Sequence, residues 1–274
     1  MKHFAKSAFS IVLLTYFLQG CLNKQSSKND NTKPVREEQV VRFDFDKIKE
    51  RGYLIALMEN SSTGLFVYRG RTMGYEYELI QRFCKENGLE LRIELVNNLE
   101  EAFQKLNNGE GDVLAYNLTV TKERKERIAF THYLNLQKQV LIQRRPSNWR
   151  QMKLHEIEKE LIRDPIELIG EEVVVRSESS YAKRLANLSD EIGGDILITP
   201  GGKDVETEEL IKMVAQGKVK YTVAEEDIAL VNATYYPILD VKTAVSFSTQ
   251  IAWGVRKNAP ILRDDLNQWI LSMR

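Results

Sequence analysis

Short, wholly apolar runs alternate with amphipathic stretches from residue 43 onward, and this alternation constrains the fold more than any other feature. Residues 53–57 and 113–115 are apolar throughout, as strands buried on both faces are. Between and after them, residues 75–87 and 99–106 repeat apolar side chains at helical spacing, with Gly88 and Gly109 as stops. Residues 89–96 and 139–143 read as further strands, and residues 122–127 as a short charged turn. This rhythm predicts an α/β fold with mostly parallel sheets covered by helices. A second α/β unit follows, with helices over 154–163, 181–188, 206–216 and 227–233 and strands over 172–175, 195–199 and 221–224. Residues 245–255 then read as one long strand and 261–273 as a terminal helix.

The N-terminus reads as an address. Lys2 and Lys6 precede an apolar stretch over residues 8–18, too short for a spanning helix, which needs about 20 residues. Leu18-Gln19-Gly20-Cys21 follows and resembles a bacterial lipobox. The expectation is a cleaved signal over 1–20, lipidation of Cys21 and a flexible polar tether over 21–42. The alternative is an ordinary secretory signal. On the lipoprotein reading the protein is anchored to a bacterial membrane, expected to be the outer one, facing the periplasm. Cys84, beside Phe83 on a helix, is expected to be a buried inert thiol.

Composition excludes several classes. Lys+Arg and Asp+Glu are both 39, so no basic excess points to nucleic acid. With two cysteines and three histidines, no metal-ligand spacing appears, and no cofactor is expected. No Ser/His/Asp set and no phosphate-binding glycine loop is present.

In such sheets ligands sit beyond the carboxyl ends of strands, and with two units the natural site is the cleft between them. That selects residues 60–63, 116–124, 176–180 and 225–227, and within them Asn60, Ser61, Tyr116 and Asn117. Thr119 and Arg124 suit a carboxylate, which a guanidinium binds bidentately. On spacing alone, Thr121 as a helix cap with Arg124 in solvent is the plainer reading. Ser179 and Ser180 precede a helix and suit either an anion or simple capping. Glu225 could meet a ligand ammonium, or with Glu226 and Asp227 could complement a helix N-terminus. Tyr53, Phe66, Tyr68, Tyr75, Tyr77, Tyr116 and Tyr133 offer aromatic walls, or ordinary packing.

Gly74-Tyr-Glu-Tyr-Glu-Leu79, Gly109-Glu-Gly-Asp-Val113, Thr119-Val-Thr-Lys-Glu-Arg124 and Phe130-Thr131 resemble the signature of the extracellular solute-binding proteins of family 3, the periplasmic amino-acid receptors of ABC transporters. Within it, Arg51-Gly52 and Gly217-Lys-Val-Lys-Tyr-Thr-Val-Ala224 resemble the solute-binding module of the membrane-bound lytic transglycosylase F group. The resemblance implies a two-lobe periplasmic-binding-protein clamshell of type II, with lobe one over 43–142 plus 244–274 and lobe two over 143–243. It implies that Arg124 and Thr119 hold a ligand carboxylate, that Ser179 and Ser180 assist, and that Glu225 takes the ammonium. Glu178 stands where the family has a glycine, and Glu225 where it has Asp.

The resulting expectation is a lipid-anchored binding protein, not an enzyme, closing on a small carboxylate-bearing ligand: an amino acid, a short peptide or a peptidoglycan fragment. Its expected partners are that ligand, the membrane, and an ABC permease or a cell-wall enzyme, with no nucleic acid. The alternative is the regulatory module of a lytic transglycosylase without its catalytic domain. A third reading is a dehydratase-like enzyme on the same clamshell, with Glu225 as its acid or base.

Overall fold

The computed structural model describes residues 43–96, 98–177, 179–202 and 205–274. The expected signal segment, Cys21, the tether and Glu178 lie outside the described residues. Helix α1 (Phe45–Arg51) is followed by β1 (Tyr53–Met58), an exposed hairpin of β2 (Phe66–Tyr68) and β3 (Arg71–Met73), α2 (Tyr75–Glu86), β4 (Glu90–Leu95) and α3 (Leu99–Asn108). Then come β5 (Val113–Leu114), α4 (Lys122–Arg127), β6 (Ala129–Phe130), β7 (Asn135–Gln137) and β8 (Gln139–Arg144). The second lobe continues with α5 (Leu154–Lys159), β9 (Glu172–Val175), α6 (Ser180–Ile192), β10 (Leu197–Pro200), α7 (Thr207–Ala215), β11 (Tyr221–Glu225), α8 (Glu226–Tyr235) and β12 (Leu239–Asp240). The chain returns through β13 (Thr249–Ile251) and β14 (Gly254–Val255) to α9 (Pro260–Ser272).

Lobe one is a five-stranded sheet in the order β4-β1-β5-β14-β6. Its β4, β1 and β5 are parallel, while β14 runs antiparallel to both β5 and β6. In lobe two β9 and β10 are parallel, and β8 lies antiparallel between β11 and β12. The sheets are therefore mixed rather than mostly parallel. Strands β8 and β14 are those by which the chain arrives from the other lobe. Neither is joined to a sheet neighbour by a single strand–helix–strand unit, the connection that makes neighbouring strands parallel.

Residues 245–255 are not one strand. Strand β13 pairs with β7 in the ribbon between the lobes, and β14 pairs inside lobe one. Between them Trp253, fully buried, leaves the ribbon for the core and stacks on Trp269 of α9 at 6.4 Å. Phe83 meets Trp269 edge-on at 5.5 Å and Phe45 at 5.8 Å, so α1, α2 and α9 share one aromatic core. The Asp44 carboxylate caps α1 at Phe45 N and also accepts from Ile261 N and Leu262 N, which ties α1 to α9.

The helix expected over 154–163 ends at Lys159. Past it Leu161 and Ile162 turn inward, and the Gln143 side chain takes both backbone groups of Ile162 at 2.9 Å, replacing helical bonds. Residues 122–127, expected as a turn, form the one-and-a-half-turn helix α4.

Asp112, in the Gly-Glu-Gly-Asp-Val segment, is fully buried and structural. It accepts from Ile55 N at 2.8 Å, from Arg51, and from Arg256 at 3.5 Å. Arg256, also buried, donates to the carbonyls of Phe43, Leu106 and Gly111. Cys84 is a buried free thiol in the same lobe, and burial pushes it up to about 12, so it is inert at neutral pH. No helix among the described residues is long and apolar enough to cross a membrane.

Candidate ligand-binding site

Thr121 and Arg124 show how one short helix serves two purposes. Thr121 Oγ1 accepts from Arg124 N at 3.2 Å and so caps α4. The Arg124 side chain does not go out to solvent. It turns into a cavity of about 360 Å³ between the lobes, where its Nη1 donates to the Thr119 carbonyl at 2.9 Å. The cap and the cavity role, alternatives in the sequence, are both realised. Burial disfavours the charged guanidinium, while Tyr181, Glu225 and Glu123 favour it; burial wins and the pKa is lowered.

Glu225, at the end of β11 in the second lobe, faces Arg124 across this cavity. Its Oε1 accepts from Thr119 Oγ1 at 2.8 Å and from Gln139 Nε2 at 3.2 Å. Its Oε2 is buried without a hydrogen-bond partner among the described residues. Burial raises this carboxyl to about 7, against the pull of Thr119 and Gln139. A carboxylate oxygen held in place and unpartnered is an open acceptor for a ligand cation. Beside it Asn117 Nδ2 donates to Asp227 Oδ2 at 2.9 Å, and Asn117 Oδ1 likewise has no partner among the described residues.

Ser179 and Ser180 line the same cavity at the start of α6. Ser179 Oγ donates to the Arg176 carbonyl at 2.6 Å instead of capping, and Ser180 Oγ accepts from Gln139 Nε2 at 3.0 Å. Ser61 and Tyr116 also line it, and the Tyr116 hydroxyl is buried with no hydrogen-bond partner among the described residues. Asn60 does not: its side chain is exposed and lies outside the lining, between Glu59 and Ser61, which do contribute. Among the seven aromatic walls the sequence offers, only Tyr116 reaches the cavity. The other aromatic lining residue is Tyr181, buried at the start of α6.

The loop carrying Ser61 and Gly64 rests on the N-terminus of α2, with Tyr75 N donating to the Thr63 carbonyl at 2.7 Å and Tyr77 N to the Gly64 carbonyl at 3.2 Å. Gly74 makes this approach possible. Its φ is 135°, and a Cβ there would stand 2.2 Å from the Gly64 carbonyl oxygen. Glu76, two residues on, is buried, with Oε2 unpartnered among the described residues and its carboxyl raised by burial to about 7.

Sequence reasoning takes Arg176 only as the first residue of the segment 176–180, and does not reach Glu59, Glu206 or Gln139 as site residues. Arg176 Nη1 lies 3.1 Å from Glu59 Oε2, joining lobe two to lobe one, and its Nη2 lies 2.9 Å from Glu206 Oε2. The strand-end rule held the signal: Glu59 follows β1 and Arg176 follows β9. Two further contacts join the lobes, Ser62 N to Glu208 Oε1 at 2.6 Å and Lys183 to Glu123 at 3.2 Å.

Against known proteins, residues 58–274 match the family model for bacterial extracellular solute-binding proteins, family 3. A membrane-bound lytic murein transglycosylase F from Desulfosudis oleivorans is 30% identical over 224 residues, covering 81% of this chain and 46% of that relative. The chain thus spans less than half the length of that curated relative. Among solved structures, holo ArgBP from T. maritima superposes with a TM-score of 0.68 at 22% identity, covering 84% of this chain and 93% of that one. A substrate-binding protein of an amino acid ABC transporter, AbpA from Streptococcus pneumoniae, bound to L-arginine, gives 0.68 at 16% identity, covering 84% and 92%. At these identities the two structures bear on the fold, which is the two-lobe α/β clamshell. From the family match, the chain belongs to the bacterial extracellular solute-binding proteins of family 3.

Proposed function

We propose that this protein is a binding module whose lobes close on a small zwitterion, with Arg124 taking a carboxylate and Glu225 an ammonium. One observation carries the reading: an arginine from lobe one and a buried, half-unpartnered carboxylate from lobe two line the same cavity, with Thr119 touching both. Ser179 and Ser180 stand where they can complete the carboxylate's shell. Closure follows from affinity for both halves at once, since a ligand touching only one lobe gains nothing from closing. The matched structures named as bound to L-arginine or as ArgBP support an amino acid or a short peptide as the ligand class. On this reading the module delivers its ligand to a permease or reports it to an enzyme, and the role is binding rather than turnover.

A second reading has a specific observation behind it. The curated relatives are named lytic murein transglycosylases, and the chain covers 46% of one and 41% of another. A module of that kind would bind a peptidoglycan peptide and regulate a cell-wall enzyme. On either reading we propose that Cys21 is lipidated after cleavage of residues 1–20, tethering the module to a membrane at the periplasmic face. Metabolic labelling with a fatty acid that survives Cys21→Ser overturns the tether.

A thermal-shift screen of L-amino acids, dipeptides and muropeptides tests the ligand. At one hundred times its dissociation constant a true ligand adds about 2.7 kcal/mol, a shift of roughly 5–10 °C at this size. A response to amino acids supports the first reading, and a response to muropeptides alone supports the second. A folded protein that responds to none of them contradicts both.

A further inference from the structure

Strand β4 is an open edge of the lobe-one sheet. It ends the order β4-β1-β5-β14-β6, and among the described residues no strand pairs with its outer side. Its six residues run beside β1 without a bulge and contain no Pro or Gly. Two other sheet edges are better guarded: β6 is two residues long, and β10 ends in Pro200. Glu90 N donates to the Gly52 carbonyl at 3.0 Å and Val96 N to the Met58 carbonyl at 3.0 Å, so the even-numbered residues carry the bonds toward β1. By alternation the N–H and C=O groups of Leu91, Ile93 and Leu95 point to the open edge. The side chains of these three share one face of the strand, and Ile93 and Leu95 are 37% and 54% exposed although apolar. The other face carries Glu90, Arg92 and Glu94.

We propose that β4 is a dimer edge, pairing antiparallel with β4 of a second copy of this chain about a two-fold axis at Ile93. The strand is complementary to itself in that register. Ile93 meets Ile93 of the second copy, Leu91 meets Leu95, and Arg92 meets Glu94, each in both directions. The outward backbone groups of Leu91, Ile93 and Leu95 then face one another, as an antiparallel ladder requires. A slip by two residues, the smallest that keeps the faces, sets Arg92 opposite Arg92 or Glu94 opposite Glu94. The charges therefore select both the partner and the register. Within one chain Arg92 pairs with Glu90 and Glu94 with Lys105, but Arg92, Glu90 and Glu94 are all about half-exposed, and such pairs open at little cost. The contact is one strand wide, so the association is weak, and it joins two five-stranded sheets into one. It does not depend on what the cleft binds.

Disulfide trapping in the full-length protein carrying Cys21→Ser tests it; Cys84 is buried and takes no part. With Ile93→Cys the two thiols stand opposite, at about 5.5 Å between Cα atoms, inside disulfide range. Mild oxidation should give at least about fivefold more linked dimer than Tyr235→Cys, a control position on α8 that is 74% exposed. A mixture of Arg92→Cys chains with Glu94→Cys chains should link between the two kinds and not within either. That mixture reads the same register if Ile93→Cys fails to give a cooperative melt. In sedimentation equilibrium Glu94→Arg should weaken the dimer at least about fivefold, and adding Arg92→Glu should restore it. Linking no greater than that of the control overturns the inference, whether the edge stays bare or another segment covers it. Linking among Arg92→Cys chains alone overturns this pairing. A loss in Glu94→Arg that Arg92→Glu does not repair also overturns it, because the loss would then come from the Lys105 pair within one chain.

Discussion

Thr119 Oγ1 donates to Glu225 Oε1 at 2.8 Å, and this one bond joins a residue after β5 in lobe one to the end of β11 in lobe two. The hydroxyl thereby holds the acid that the ligand ammonium would meet, while the carbonyl of the same threonine receives Arg124 at 2.9 Å. Replacing Thr119 by Val keeps the shape and removes the hydroxyl. Glu225 then loses one of its two donors, so its carboxyl should be harder to ionise. Ligand affinity should fall about tenfold, read by calorimetry, with the larger loss at lower pH.

Glu225 and Glu76 set a pH dependence of stability with a definite sign. Both carboxyls are raised from 4.5 to about 7 by burial; Arg124 and Asp227 also act on Glu225, and Asp227 and Glu59 on Glu76. In the window between those values the folded state binds more protons than the unfolded chain, so stability falls as pH rises. Their stabilising contribution is complete below about pH 4.5 and is lost as pH passes about 7, on the order of 3 kcal/mol for each group. Melting of the unliganded protein from pH 5 to pH 8 should show this decline, and a Glu76→Gln, Glu225→Gln variant should flatten it. A melting temperature that climbs through that window contradicts the assignment.

The buried pair Arg256 and Asp112 is predicted to matter for stability and not for binding. Arg256→Met removes a charge that answers Asp112 and three backbone carbonyls, which should cost about 3–5 kcal/mol. A drop in melting temperature of roughly 10 °C, with ligand affinity within about twofold of the parent for whatever folds, is the expected outcome.

Gly74→Ala should do both kinds of damage. Its Cβ would stand 2.2 Å from the Gly64 carbonyl oxygen, and φ there is 135°. The loop carrying Ser61 and Gly64 must move, so stability should fall by about 2 kcal/mol or more and affinity should weaken with it. Unchanged affinity would mean that this loop does not shape the cleft.

Much of the site was legible because it depends on local rules. The strand-end rule led to Tyr116, Asn117, Thr119, Ser179, Ser180 and Glu225, which all line the cavity. For Arg124, spacing alone favours a solvent-facing side chain beside the Thr121 cap and only the family resemblance favours a ligand group, because local spacing describes only α4 and says nothing of what lies across the cleft. Asn60 lies between two lining residues without lining the cavity itself. Successive residues of an extended chain face opposite sides, and here Glu59 and Ser61 face the cavity. The strand-end rule points to the positions of Glu59 and Arg176, but their ion pair, and that of Arg176 with Glu206, could not be read because the members lie in separate segments. The 245–255 segment misled for a related reason: one apolar run serves two sheets, and the break at Trp253 is imposed by the lobe-one core.

The contact between Arg124 and a ligand carboxylate is the centre of the account, and a double-mutant cycle in solution measures it. The tightest amino acid from the screen and its carboxamide, which lacks the negative charge, are titrated into the parent protein and into Arg124→Ala. In the parent the carboxamide should bind at least about thirtyfold more weakly, and in Arg124→Ala the two should bind alike within about threefold. A carboxylate preference that persists undiminished in Arg124→Ala would contradict the account, because the charge would then be read by some other group.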